Sequence, residues 1–328
     1  MQLRIRIIVY VIKFDLKEDI MRKNIIFILI LLLLFNLSGP ILADSLAGNE
    51  YNYLDDQSWQ EILQREDIVE YPVIFVHGLG RRTDVWEDAI RKIVDDDFFE
   101  MKYMESNKVF HNYHGEDNDN TVWNISYYTT NPFEEAFSGN LSLYANRLDE
   151  MIGIIKRMTE HDKVVIIGHS MGGLVARKYM VMKQENWDSV HRILTVGTPH
   201  LGVDTSVSIV GQLEDLKKES AFLTDLNRNW DEMKDDNNKV WGVVGGVDKK
   251  MFFNQLGDPD ATDSGGPGFV RISSAIPYDE WEVATKDYFG EANYNTDNFG
   301  FRMAIDSNHV GLLEAKGTFK GIHWAITK

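Results

Sequence analysis

The 328-residue sequence contains no cysteine. This absence excludes disulfide bonds, thiolate metal ligands and a cysteine nucleophile. The sequence also lacks the Cys and His spacings of a zinc site and the glycine-rich loop that cradles phosphate. No internal repeat and no low-complexity tract is visible. Any nucleophile in this chain must therefore be a residue other than cysteine.

Positive charge is scarce. Lys and Arg number 34 against 51 Asp and Glu, which gives a formal net charge of −17. Surfaces that bind nucleic acid need clustered Lys and Arg to meet the phosphates, so no nucleic-acid partner is expected. The length and the apolar fraction of 44% suit one large α/β domain or two small ones.

The N-terminal segment has the pattern of a secretory signal peptide. A basic head at Met21–Asn24 precedes an unbroken apolar run over Ile25–Phe35, and small residues follow at Ala43 and Ala47. The pattern predicts a secreted, extracellular protein. The run of 11 residues is too short to span a bilayer core of about 30 Å. Anchoring at the cell surface by an uncleaved signal is the alternative, and residues 1–20 are interpreted as an upstream extension.

The rest of the chain alternates between predicted strands and helices. We expect an N-terminal extension and signal peptide over 1–43, an arm over 44–70 and one large folded domain over 71–328. Strands are predicted at Pro72–Val76, Val122–Tyr128, Val164–Ile167, Arg192–Val196, Val240–Val244, Phe269–Ser273 and Phe301–Ile305. Helices are predicted at Asp84–Val94 (with Asp84 as its N-cap), Leu141–Met158 and Gly172–Met182. Strands separated by helices predict a mostly parallel sheet with helices on both faces, an α/β fold.

One motif points to a serine nucleophile. Gly168-His169-Ser170-Met171-Gly172 stands directly after a predicted strand and directly before a predicted helix. A serine at such a turn sits in strained backbone, and the small glycines allow the tight approach there. Its Oγ is then exposed at the carboxyl edge of the sheet, over the positive end of the helix. The motif predicts Ser170 as the nucleophile.

A second motif predicts an oxyanion hole. His77-Gly78-Leu79-Gly80 follows the first predicted strand. The tetrahedral intermediate of acyl transfer needs two N–H groups directed at its oxyanion. Those of Leu79 and of Met171, the residue after the nucleophile, are the predicted donors.

These two motifs, together with Gly197-Thr-Pro-His-Leu-Gly202, resemble those of bacterial lipases and esterases of the α/β-hydrolase superfamily, over roughly residues 70–315. The resemblance implies an α/β-hydrolase fold and hydrolysis of a small-molecule or lipid ester through an acyl-serine, without a cofactor. Transient contact with lipid surfaces is a further expectation. The resemblance also implies a triad in the chain order serine, acid, histidine.

That order leaves two histidines as the base. His309 lies in a loop between a predicted strand and an apolar helix, which resembles the family's histidine loop, and it is preferred. His323 has the apolar neighbours of a packed terminal segment. We interpret His77 and His169 as structural parts of the two motifs, and His200 as a packing residue.

The acid is less defined, because four carboxylates follow the strand that ends at Val244: Asp248, Asp258, Asp260 and Asp263. Related lipases carry an aspartate directly before the glycine that corresponds to Gly268, and Pro267 stands in its place here. Asp263 is the nearest carboxylate and is the predicted acid. The cluster Asp258–Asp263 offers the hard oxygen ligands of Ca²⁺, although a solvated acidic turn is the commoner explanation.

Residues 204–236 interrupt the alternation of strands and helices. Their apolar positions lie among many charges: Val207, Ile209, Val210, Leu213, Phe222, Leu223 and Leu226. We predict a helical cap insertion over Ser170 that favours medium or long acyl chains, with a surface excursion as the alternative. A thioesterase, an amidase, a polyester depolymerase, an acyltransferase and a non-catalytic binding protein are alternatives on the same fold.

Overall fold

The structure is a computed structural model, and it describes residues 59–80, 82–106, 108–114, 121–129, 135, 138–203, 211–234, 240–248, 260–263, 270–277 and 299–328. Several sequence predictions lie outside these ranges: the signal peptide, the first part of the arm, Asp258, Pro267, and the cap residues Val207, Ile209 and Val210. Within the described part of the chain, no helix is long and apolar enough to cross a membrane.

The described residues form one eight-stranded sheet in the order β3-β2-β4-β1-β5-β6-β7-β8. The strands are β1 (Val73–Val76), β2 (Phe99–Met104), β3 (Lys108–His111), β4 (Val122–Ser126), β5 (Val164–His169), β6 (Val190–Val196), β7 (Trp241–Gly246) and β8 (Phe301–Ile305). Strand β3 runs antiparallel to β2, and all other neighbours are parallel. The predicted α/β fold with a mostly parallel sheet is confirmed.

The described helices precede, separate and follow these strands in the chain. They are α1 (Trp59–Leu63), α2 (Glu87–Val94), α3 (Leu141–Thr159), α4 (Met171–Val181), α5 (Gln184–Asp188), α6 (Gln212–Asp215), α7 (Ala221–Met233), α8 (Ile272–Ala275) and α9 (Lys316–Ile326), with 3₁₀ turns at Thr83–Val85 and Gly311–Glu314. The Asn140 side chain caps α3 by accepting a hydrogen bond from the Leu143 N–H at 2.8 Å. The Ser220 hydroxyl caps α7 in the same way through Leu223 at 3.2 Å.

The central strands are buried because helices cover both faces of the sheet and pack on its apolar side chains. Every residue of β1 and of β5 is buried, as expected of parallel strands covered on both sides. Helices α1, α2 and α9 share one apolar core with the sheet. The rings of Phe301 in β8 and Trp324 in α9 stack with centroids 5.8 Å apart. Helices α3, α4 and α7 cover the other face.

Two local predictions are wrong. The segment predicted as a strand at Phe269–Ser273 instead contains the short helix α8, preceded by an isolated bridge between Thr262 and Arg271. Asp84 is not the N-cap of a helix, because it lies inside a 3₁₀ turn and α2 begins only at Glu87. The hairpin of β2 and β3, which adds two strands at one edge of the sheet, was not predicted from the sequence.

The longer helix of the predicted cap segment packs against the rest of the domain. Helix α7 is the crossover between β6 and β7 and packs against α4. The Lys178 ammonium of α4 bonds the Asp225 carboxylate at 3.1 Å, and Leu223 and Leu226 are buried. These leucines therefore belong to the core of the domain and give no support to an acyl channel.

Candidate active site

Ser170 lies in the strained turn between β5 and α4. Its backbone angles are φ 54° and ψ −131°, in a region that side-chain-bearing residues rarely adopt. The Ser170 N–H donates to the Val196 carbonyl at 2.8 Å, which ties the turn to the end of β6. A Cβ added to Gly172 would lie 2.3 Å from the His77 carbonyl oxygen, so glycine is required where α4 passes the neighbouring turn.

Asp263 and His309 form a buried pair. The Asp263 Oδ2 carboxylate oxygen is hydrogen-bonded to the His309 Nδ1. The His309 backbone N–H donates to the Asp263 carbonyl at 3.0 Å, and the Val270 N–H donates to the Asp263 Oδ1 at 3.2 Å. Asp263 is 1% and His309 4% exposed, so little water competes for these bonds. The carboxylate holds both the ring orientation and the tautomer with the proton on Nδ1.

The same pair lies beside the serine turn. The His309 ring is 4.7 Å from that of His169, the residue directly before Ser170, and the His309 carbonyl is 3.1 Å from His169 Nε2. A Cβ on Gly197, at the end of β6, would lie 3.2 Å from His309 Nδ1. The structure thus brings the Asp263–His309 pair, from the loops after β7 and β8, beside the turn of Ser170 at the carboxyl ends of β5 and β6.

The other candidate acids and bases have different surroundings. Asp260 binds the Arg271 guanidinium, and the Asp248 N–H donates to the Thr262 carbonyl at 3.1 Å. The pKa of His323, on α9, is lowered by burial and by the nearby Arg65. Among the described residues, no group of three or more His, Asp or Glu side chains is placed to hold a metal ion.

The His77–Gly80 turn lies against Ser170. A Cβ on Gly78 would be 2.8 Å from the Ser170 Cβ, so only glycine fits at this contact. His77 is fully buried, and desolvation lowers its pKa to about 4, so its ring is neutral. His77 Nδ1 lies 2.9 Å from the Gly78 carbonyl, which can only accept, so this nitrogen carries the proton.

The His77 bond fixes the orientation of the next peptide group. In a trans peptide the C=O and the following N–H point in opposite directions. Because the Gly78 C=O is held by His77, the Leu79 N–H is directed away from that ring. Met171 is the first residue of α4, where a helix leaves its backbone N–H groups without internal partners. Both predicted oxyanion donors are thus backbone N–H groups in turns that adjoin Ser170.

The contacts that hold this turn were not predicted from the sequence. The Tyr127 hydroxyl donates to the His77 carbonyl at 2.8 Å, and its ring stacks on His77 with centroids 4.2 Å apart. The Tyr128 hydroxyl lies 3.4 Å from the Gly80 N–H. The available signal was the pair of adjacent tyrosines at the end of a predicted strand, since tyrosine hydroxyls need hydrogen-bond partners when they are buried.

A buried cation on α4 was also missed. The Arg177 guanidinium lies 4.4 Å from the Trp230 ring and 4.6 Å from the Trp241 ring, and it bonds His200 Nδ1 at 3.0 Å. Burial lowers the Arg177 pKa to about 9. His200 Nε2 is 3.0 Å from the Thr195 hydroxyl, so His200 joins the packing between α4 and β6.

Comparison with known families gives a match over more than half of the chain. Residues 67–256 match the family model described as the PGAP1-like alpha/beta domain. The chain belongs to the PGAP1-like alpha/beta domain family. The matched range contains Ser170 and the His77–Gly80 turn, and it ends before Asp263 and His309.

Curated relatives of this PGAP1-like chain are eukaryotic. GPI inositol-deacylase A of Yarrowia lipolytica is 25% identical over 224 residues, which are 66% of this chain and 17% of that protein. GPI inositol-deacylase of Xenopus laevis is 31% identical over 165 residues, 47% of this chain and 17% of that protein. The chain spans less than a fifth of the length of these relatives.

A solved structure shares the fold. The product of lin2722 from Listeria innocua superposes with a TM-score of 0.54 at 12% identity, covering 79% of this chain and 95% of that chain. The predicted α/β-hydrolase fold is therefore confirmed, while the specific resemblance to bacterial lipases and esterases is not.

Proposed function

We propose that this PGAP1-like domain hydrolyses a lipid-type carboxylic ester through an acyl-serine intermediate. The observation that carries the proposal is the buried bond between Asp263 and His309 beside Ser170. A buried carboxylate on the histidine, with a serine in a strained turn at the same sheet edge, is the arrangement needed to activate a hydroxyl.

In the proposed first half-reaction, the Ser170 Oγ attacks the ester carbonyl carbon and its proton passes to His309 Nε2. The tetrahedral oxyanion accepts hydrogen bonds from the Leu79 and Met171 N–H groups. When the bond to the alcohol oxygen breaks, His309 returns the proton to the departing alcohol. Water then attacks the acyl-serine with His309 again as base, which releases the carboxylic acid and restores Ser170.

The family supports a narrower candidate for the substrate. The curated relatives are named GPI inositol-deacylases, and their name describes removal of an acyl group from inositol. We therefore propose an acylated polyol, such as an acylated inositol lipid, as a second candidate beside simple lipid esters. A thioesterase, an amidase, a polyester depolymerase and an acyltransferase remain alternatives on the same fold.

The test begins with the serine. The purified protein is treated with a fluorophosphonate probe, and the labelled peptide is mapped; we expect label on Ser170. Ser170→Ala should lose both the label and ester hydrolysis with the fold retained, because this change removes a hydroxyl and little packing. Substantial turnover by folded, pure Ser170→Ala would overturn the proposal.

The substrate candidates are then separated by assay. Nitrophenyl esters of increasing acyl length are compared with an acyl-inositol phospholipid in mixed micelles. Preferred release of fatty acid from the acyl-inositol lipid would support the polyol candidate. Faster hydrolysis of nitrophenyl esters at every length, with no release from the inositol lipid, would exclude it.

We also propose export of the protein, on the signal-like pattern between Met21 and Ala47. Expression of the full chain in a secreting bacterial host, followed by N-terminal sequencing of the protein in the medium, tests this. A new N-terminus at or near Asp44 or Gly48 is expected. Retention in the membrane fraction would favour the uncleaved anchor, and recovery from the cytoplasm would contradict export.

A further inference from the structure

A buried hydrogen-bond chain links the His77–Gly80 turn to a distant segment of sequence. The Tyr128 hydroxyl lies 3.4 Å from the Gly80 N–H and 2.6 Å from Gln212 Oε1. Tyr128 is 1% exposed and Gln212 is completely buried. Three residues from three parts of the chain are therefore joined by hydrogen bonds at the last residue of the turn that adjoins Ser170.

The direction of each bond follows from the groups involved. Desolvation raises the pKa of Tyr128, so its hydroxyl keeps its proton. The Gly80 N–H can only donate, so the Tyr128 hydroxyl oxygen accepts a hydrogen bond from it. The Tyr128 O–H in turn donates a hydrogen bond to Gln212 Oε1. The oxygen of the Gln212 amide is thereby fixed toward Tyr128. Its Nε2 has no hydrogen-bond partner in the part of the chain that the structure describes.

Gln212 is itself held in place. It is the first residue of α6, and at the other end of this short helix the Asp215 carboxylate accepts a hydrogen bond from the Leu141 N–H at 2.9 Å. Helix α6 is thus tied to the N-terminus of α3. Gln212 can therefore act as a fixed support for Tyr128.

We propose that Tyr128 and Gln212 are positioning residues for the oxyanion hole, an inference that rests on the proposed ester hydrolysis. Tyr127 holds the start of the turn through the His77 carbonyl, and Tyr128, supported by Gln212, holds its end at Gly80. Gly80 directly follows Leu79, whose N–H is the proposed oxyanion donor. If the hydrogen bond that holds Gly80 is removed, the neighbouring Leu79 N–H shifts. A displaced donor stabilises the oxyanion of the transition state less, while binding of the ground-state substrate changes little.

The test uses two variants that break this hydrogen-bond chain at different residues. Tyr128→Phe removes the hydroxyl that Gly80 and Gln212 share, and Gln212→Met removes its support. Both should lower kcat on nitrophenyl butyrate about tenfold with KM within about twofold of wild type. Affinity for a boronic acid, which forms a tetrahedral adduct with the serine, should fall in the same proportion as kcat. A merely structural role would lower the melting temperature without this proportionality.

A conservative variant and a matched control complete the design. Gln212→Glu keeps an oxygen acceptor for Tyr128, and burial favours the protonated, neutral form of the new carboxyl, so this variant should restore most of the kcat lost in Gln212→Met. Tyr103→Phe makes the same chemical change at a tyrosine of β2, whose hydroxyl donates to Glu150 at 3.0 Å, and it should leave kcat unchanged.

The outcomes separate this inference from the proposed function. An active wild type that requires Ser170, together with Tyr128→Phe at wild-type kcat, would overturn the positioning role alone. Losses of kcat in Tyr128→Phe without a parallel loss of boronic acid affinity would overturn it as well. An inactive wild type without fluorophosphonate labelling would instead remove the proposed function.

Discussion

Asp263 and His309 are hydrogen-bonded to each other twice, once from the carboxylate to the imidazole Nδ1 and once from the His309 N–H to the Asp263 carbonyl at 3.0 Å. The second bond fixes the main chains of the two loops against each other. The side-chain bond is therefore preformed, and its geometry does not depend on a substrate to bring the loops together.

This relationship predicts the effect of changing the acid. Asp263→Asn should lower kcat by about 10⁴-fold, because an amide favours the wrong tautomer of the histidine. The measurement is kcat on nitrophenyl butyrate, with folding checked by circular dichroism. Asp260→Asn is the matched control, since that carboxylate binds the surface Arg271, and it should retain wild-type kcat. Loss of activity in Asp260→Asn with none in Asp263→Asn would assign the acid elsewhere.

His77 predicts a pH dependence of stability. Its folded-state pKa, about 4, lies below its ordinary value of 6.5, so the unfolded chain takes up this proton first as the pH falls. The contribution of neutral, buried His77 to the free energy of unfolding is thus complete above pH about 6.5 and is lost as the pH falls toward 4. Between pH 7 and pH 5 the free energy of unfolding should fall by about 2 kcal/mol for this reason. His200, whose pKa burial lowers further, acts in the same direction.

Urea unfolding at pH 7 and pH 5 measures this difference in free energy. In His77→Gln the difference between the two pH values should shrink by about 2 kcal/mol, because glutamine does not titrate. An unchanged difference in this variant would show that His77 is not the group responsible.

Gly172 predicts a steric effect on activity. An added Cβ would lie 2.3 Å from the His77 carbonyl and 2.7 Å from the Val76 carbonyl, and backbone cannot yield as a flexible side chain does. Gly172→Ala should therefore displace the His77–Gly80 turn and lower kcat/KM by about 10²-fold or more, the scale for a misplacement of about 1 Å.

The control is a glycine with space around it. A Cβ on Gly153 in α3 would meet Arg157 Nη1 at 3.5 Å, an ordinary contact. Gly153→Ala should keep full activity and raise stability by about 0.5–1 kcal/mol through helix propensity. Equal activities of the two variants would refute the steric argument.

Two Arg–Glu ion pairs predict different energetic effects. The Glu135 carboxylate accepts from Arg147 at 2.7 Å and from the Thr129 hydroxyl at 2.7 Å, and its pair with Arg147 is largely buried. Desolvation raises the pKa of the Glu135 carboxyl, but the hydrogen bonds from Thr129 and Arg147 lower it by more, so its pKa lies below the ordinary value. The stabilisation from these bonds is lost as the pH falls through that lowered pKa. Glu135→Gln should cost about 2–3 kcal/mol.

The exposed pair of Glu87 and Arg91, at 2.9 Å, is the comparison. Glu87→Gln should change the free energy of unfolding by less than about 0.5 kcal/mol, because water and salt screen the charges. Both changes are measured by urea unfolding at pH 7. Equal effects would mean that burial does not strengthen the Glu135 pair.

Local sequence was sufficient to predict the serine turn. Three signals are adjacent in the chain: a buried β-branched strand, a glycine-flanked serine and an apolar helix. The turn at Gly168–Gly172 could therefore be predicted from neighbouring residues alone. The His77–Gly80 turn follows from the same logic after β1. Helix α7 shows the limit, because an amphipathic pattern reports that one face is apolar but not which surface it packs against.

The sequence by itself determined the α/β architecture, the strained turn at Ser170 and the set of carboxylates that contains the predicted acid. Only the tertiary structure separated Asp263 from Asp260, because the bond to His309 joins loops 46 positions apart. It also brought Gln212 into hydrogen-bond contact with Tyr128, which lies 84 positions earlier in the sequence. Such contacts depend on where parallel strands end at a common edge, and that arrangement is set by packing of the whole sheet rather than by neighbouring residues.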